Sequence, residues 1–182
     1  MTLHAERTES VEIQEDSSFG RANECQPLPS SAFSSSSATD RCGSPILVLG
    51  LGNELLKDDG VGIEAVRRLR GILDDSIECV MTSEAGLALM DFLVEHDKAV
   101  IVDAVLLEPK QAGEIFEWDL SELGQASAYS PHYAGLSEIR DLARCLAVPF
   151  PNEVKVFAVA VKDPFTIGEA MSPEVEAALA EV

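Results

Sequence analysis

The 182-residue chain contains no run of about 18 apolar residues, the length a helix needs to cross a bilayer, so no membrane span is expected. Its N-terminus, MTLHAERTESVEIQEDSSFG, has neither a basic start nor an apolar stretch, and does not read as a secretory signal. Basic residues are scarce. Thirteen Lys and Arg stand against 32 Asp and Glu, a net charge of −19. That balance argues against nucleic acid and against anionic membrane surfaces, which both select Lys and Arg. It suits solubility, a basic protein partner or cation binding. Cysteines are few and scattered: Cys25, Cys42, Cys79 and Cys145, with no CxxC pair. A chain of this length does not need disulfide staples, so four free thiols in a reducing cytoplasm are expected. Internal repeats are absent.

Apolar residues make up 46% of the chain, enough to core one ordinary domain. They are unevenly placed. Residues 1–44 are acidic and Ser-rich, include SSAFSSSSATDRCGS, and show no apolar periodicity. Such a stretch buries too little surface to offset its ordering entropy, and is expected to be a disordered tail. A chain starting near Ser44 should therefore fold and function normally. Loss of cooperative unfolding in that truncation would show that the tail belongs to the fold.

From Ile46 the pattern alternates between strand and helix. Ile46–Leu49 is a short apolar run before Gly50, as in a buried parallel strand. Residues 62–73 carry Ile63, Val66, Leu69, Ile72 and Leu73 at helical spacing. Residues 77–81 predict a second strand and 87–95 a helix. Ala99–Val102 predicts a third strand ending at Asp103. Residues 113–118 predict an edge strand, 136–146 a helix, and 154–161 an alternating strand. A last helix follows Ser172-Pro173, with Ser as cap and Pro in the first turn. This order implies an α/β fold: a three-layer αβα sandwich on a mostly parallel twisted sheet of about five strands, in residues 45–182. Ligands in such sheets sit beyond the C-terminal strand ends.

Three segments fall at that edge: GLGNELLKDDGVG at 50–62, Asp103, and Ser130-Pro131-His132-Tyr133. The first opens like a dinucleotide fingerprint, but Leu55 stands where a third glycine belongs. Glu54, Asp58 and Asp59 would also repel a pyrophosphate. HExxH and GxSxG are absent, and no cysteine has an activating neighbourhood. What remains is carboxylates and one imidazole. One His with two carboxylates makes a first shell for a divalent metal with open positions. Plainer roles compete: Asp58 or Asp59 as a helix cap, Asp103 as a solvated strand end, His132 in a local hydrogen bond.

The segment ILVLGLGNELLKDDGVG at 46–62 resembles the opening of the [NiFe] hydrogenase maturation endopeptidases, of the form GxGNxLLxDDGxG. AVIVDAV at 99–105 resembles their third strand, and SPHYAGL at 130–136 their SPHxxGL loop. Members of that family remove a C-terminal extension from the hydrogenase large subunit after nickel insertion. The resemblance thus implies a hydrolase acting on the large-subunit precursor, in the cytoplasm and as a monomer, without nucleic acid or membrane partners. It implies Asp59, Asp103 and His132 as metal contacts, and Asp59 and Asp103 as the catalytic carboxylates. Nickel would be presented by the substrate rather than permanently bound. Some relatives have Glu in place of Asp59, so the shorter arm could pass the contact to Asp58. Thr82-Ser83-Glu84-Ala85-Gly86 also departs from the family's Gly-Gly-Thr-like turn, and substrate-binding residues are not assigned. The same three residues would also serve a non-catalytic nickel-sensing or chaperone-like module.

Overall fold

The computed structural model describes residues 46–107, 111–123, 130, 132, 135–168 and 170–182. The tail expected over 1–44 lies outside the described residues. Five strands form one sheet: β1 (Ile46–Leu51), β2 (Ile77–Thr82), β3 (Lys98–Val105), β4 (Ile115–Asp119) and β5 (Glu153–Ala160). The helices are α1 (Val61–Leu69), α2 (Met90–Leu93), α3 (Leu136–Leu146) and α4 (Pro173–Ala178), with 3-10 turns at Lys57–Gly60 and Gly86–Leu89. The sheet order is β2-β1-β3-β5-β4. All neighbours are parallel except β4, which joins the edge antiparallel to β5. No described helix is long and apolar enough to cross a membrane.

Two cores, one on each face of the sheet, follow from strand alternation. Leu47, Leu49, Ile101, Val154 and Val156 pack with Leu89, Leu93, Leu136 and Ile139. Val48, Val102, Ala104 and Val159 pack with Val61, Ala65, Val66, Val175 and Ala178 from α1 and α4. This is the expected three-layer αβα sandwich. The segment 87–95 is shorter in helix than its periodicity implies, because a 3-10 turn takes its first half. Likewise α1 stops at Leu69, and Ile72 is exposed rather than buried. Ser172 stands at the start of α4, but its hydroxyl makes no capping bond. Cys145 is disulfide-bonded, correcting the expectation of four free thiols, while Cys79 is free. No other cysteine lies near Cys145 in the sequence, so spacing carried no sign of this.

Helix α1 lies unusually close to the sheet. A Cβ on Gly62 would land on the carbonyl oxygens of Val102 and Leu51, and one on Gly50 would land on that of Gly62. These glycines of the GxG…DDGxG segment are therefore spacers that seat α1 on β1 and β3. Backbone atoms cannot swing aside as a side chain can. Gly62→Ala is expected to destabilise the protein by about 3 kcal/mol, at the upper end of overpacking costs. A melting temperature unchanged by this substitution would contradict the close approach.

Candidate functional site at the strand switch point

The chain leaves β1 toward β2 on one side, while β3 lies on the other. The strand order therefore reverses between β1 and β3, and the crevice beyond their C-terminal ends is the switch point where such sheets bind ligands. The loop after β1 crosses it. Gly52 has φ of +142°, and a Cβ there would land on the Asp59 carbonyl oxygen, so glycine is required for the loop to fold back. Asn53 Oδ1 accepts the Leu55 N–H at 3.0 Å, and Leu56 O accepts the Asp59 N–H at 2.9 Å.

The two adjacent aspartates part company here. Asp58 Oδ1 accepts the Ser172 N–H at 2.6 Å and ties the loop to the start of α4. Asp59 faces the other way, with Oδ2 at 3.4 Å from His132 Nε2. Neither aspartate caps α1, whose N-cap is Gly60.

Asp103 is not a solvated strand end. It lies two residues inside β3 and is completely buried. Its Oδ1 accepts the Ala104 N–H at 2.8 Å, and its Oδ2 accepts the Ser130 hydroxyl at 2.5 Å. The same Ser130 oxygen accepts the His132 N–H at 3.2 Å, linking Asp103 to the loop that presents the histidine. Ser130 was visible in the motif, but only the fold reveals this bridging position. Burial pushes the Asp103 carboxyl up to about 7, against the pull of His132, the Ser130 hydroxyl and the Ala104 N–H.

His132 is also nearly buried, and while its N–H bonds locally to Ser130, both ring nitrogens reach groups distant in sequence. Its Nδ1 lies 3.4 Å from the carbonyl oxygen of Glu84, in the segment that departs from the family's turn. A proton on Nδ1 donated to that carbonyl leaves Nε2 as the nitrogen able to ligate a metal. The Asp59 hydrogen bond raises the imidazole pKa and burial lowers it. The nearby Asp103 and Asp59 charges and the Glu84 carbonyl add to the rise. The three residues expected from the sequence are thus brought together, as a contacting Asp59–His132 pair with Asp103 behind it. Among the described residues, no group of three His, Cys, Asp or Glu is arranged around a common metal position. Asp59 and His132 face each other rather than a shared centre.

No protein-family model matches the chain. Over 134 residues it is 29% identical to the hydrogenase 2 maturation protease of Escherichia coli, covering 71% of this chain and 77% of that one. Among solved structures, the hydrogenase-maturating endopeptidase HybD of E. coli superposes with a TM-score of 0.64 at 27% identity, over 75% of this chain and 86% of HybD. In both sequence and fold the chain is similar to the [NiFe] hydrogenase maturation endopeptidases. It is also 32% identical over 102 residues to the hydrogenase expression/formation protein HupD of Rhizobium leguminosarum. That match spans 54% of this chain and only half of HupD. The matching fold explains why the maturation endopeptidase motifs, far apart in sequence, meet at one switch point.

Proposed function

We propose that this protein is the endopeptidase that removes the C-terminal extension of a [NiFe] hydrogenase large-subunit precursor after nickel has been inserted. One observation carries the reading: Asp59, Asp103 and His132, from three separate segments, converge at the switch point of a HybD-like fold. Carboxylate oxygen and imidazole nitrogen are donors that suit nickel. In this reading the nickel is part of the substrate. It docks by replacing the Asp59–His132 contact with bonds to itself, and Asp103 is the third group offered to it.

The cut then falls beside two carboxylates, which makes the protein an aspartic-type endopeptidase. A general base near neutral pH needs a matching proton affinity, and burial brings Asp103 to about 7 while no metal is bound to it, so it acts as base only through an oxygen that nickel leaves free. Asp59, nearer the surface, is the carboxylate that reaches the substrate. Nickel in the precursor can also polarise the scissile carbonyl. The setting is cytoplasmic and the unit a monomer, with residues 45–182 as the peptidase domain and 1–44 as a tail outside it. The test is incubation of the purified protein with nickel-loaded precursor, read by intact mass. The large subunit should lose the mass of its extension. A module that only sensed nickel or held the precursor would leave it full-length.

A further inference from the structure

Large apolar side chains exposed singly are ordinary, but a cluster of them marks an interaction site. Four of the most exposed in this protein stand on loops at the site edge of the sheet: Leu55 at 62%, Leu87 at 64%, Phe165 at 60% and Ile167 at 83%. Leu55 and Leu87 each sit one step from a backbone group bonded to Asp59 or His132, and Ile167 one step from a group bonded to the loop after β1. Leu55 precedes Leu56, whose carbonyl holds the Asp59 N–H. Leu87 follows Gly86, whose N–H donates to the His132 carbonyl at 3.4 Å. Ile167 precedes Gly168, which donates to the Leu55 carbonyl at 2.9 Å and accepts the Lys57 N–H at 2.7 Å. The turn carrying Phe165 is pinned by Asp163 Oδ1, which accepts the Phe165 and Thr166 N–H groups at 3.2 and 3.0 Å. These side chains are held out by fixed backbone. Leu55 also stands between two clefts of about 620 and 430 Å³ that share Glu54, Leu55 and Arg67.

We propose that Leu55, Leu87, Phe165 and Ile167 form an apolar collar on which the folded large-subunit precursor docks through an apolar surface of its own. The inference rests on the function proposed above and identifies how that client is recognised. Asp59 and His132 are only 4% and 7% exposed, so a substrate reaches them only by pressing close against the loops around them. Whatever does so covers the collar. Several charges among these loops are already matched: Arg67 bonds Glu54 and Glu64 at 2.5 Å each, and Lys57 pairs with Asp163 at 3.9 Å. With Arg67 and Lys57 already engaged, the exposed apolar side chains are the anchors this rim offers beside its acidic groups.

The test measures affinity for nickel-loaded folded precursor, alongside cleavage, for the wild-type chain, Leu87→Ser and Phe165→Ser/Ile167→Ser. Ile72→Ser is the control, since Ile72 is 81% exposed but lies beyond α1 at the opposite end of the sheet. Each collar variant should bind at least about tenfold more weakly, with kcat and melting temperature unchanged, while the control binds normally. Wild-type affinity in both collar variants, or equal weakening in the control, overturns the collar. Weakened binding by the variants with no cleavage by any protein supports the collar and sinks the peptidase reading. No binding by the wild-type chain overturns both.

Discussion

Asp103→Asn is expected to be more stable than the parent protein at pH 8, and inactive. The parent carboxyl sits near 3.8 when unfolded, and burial lifts it to about 7 in the folded protein. The folded state therefore binds more protons than the unfolded state between about pH 4 and pH 7. Stability from this group is present below pH 4 and is lost as pH rises through 7. At 1.36 kcal/mol per pKa unit, the loss by pH 8 is about 4 kcal/mol. Asparagine carries no charge at any pH and escapes it. It also turns one acceptor into a donor, so the Ser130 hydroxyl must reorient, at a cost of roughly 1 kcal/mol. The net gain is a few kcal/mol at pH 8 and vanishes near pH 4. Activity should fall by at least about 100-fold, because the variant cannot take up a proton. Paired pH-dependent melts decide the matter. A variant less stable at pH 8, with the parent's slope retained, would make Asp103 an ordinary structural carboxylate.

His132→Ala should abolish processing while leaving the fold intact, as should Asp59→Ala. Neither residue belongs to either apolar core, so truncation opens no core cavity. Losing a cap was the one structural risk foreseeable for Asp59 from sequence. The Gly60 N-cap removes it, and what remains is the contact with His132, which Asp59→Ala loses and Asp59→Asn can keep as a hydrogen bond. Processing rates should drop by about 100-fold or more in each variant, with melting temperatures within a few degrees of the parent. Wild-type processing by both would mean that the Asp59–His132 pair is not the site.

The strands were legible because a fully buried parallel sheet demands continuous apolar runs, and Ile46–Leu49 and Ala99–Val102 supply them. Helix α3 was legible from its face, with Leu136 and Ile139 inward. The end of α1 was not, because Leu69, Ile72 and Leu73 keep helical spacing past the point where the backbone turns. At the site, sequence yielded which residues converge but not how. Asp58 and Asp59 are indistinguishable as letters. The fold sends one to Ser172 and the other to His132. The strand reading stopped at Val102 because Asp103 breaks an apolar run, yet β3 continues through it to Val105. A charge placed inside a buried strand is costly, and here that cost raises its proton affinity to about 7. The Glu84 carbonyl could not be found from sequence at all, since any residue would offer the same group.

The central claim is that substrate nickel completes the site formed by Asp59, Asp103 and His132. The most direct measurement pairs nickel-loaded precursor with metal-free precursor of the same sequence, incubates each with the protein, and follows the intact mass of the large subunit. The nickel-loaded form should be cut once, with loss of its extension, and the metal-free form should stay full-length. Zinc in the same position should substitute poorly, because the two metals prefer different geometries. Equal cleavage of loaded and empty precursor would contradict the account and leave a peptidase that recognises the tail alone.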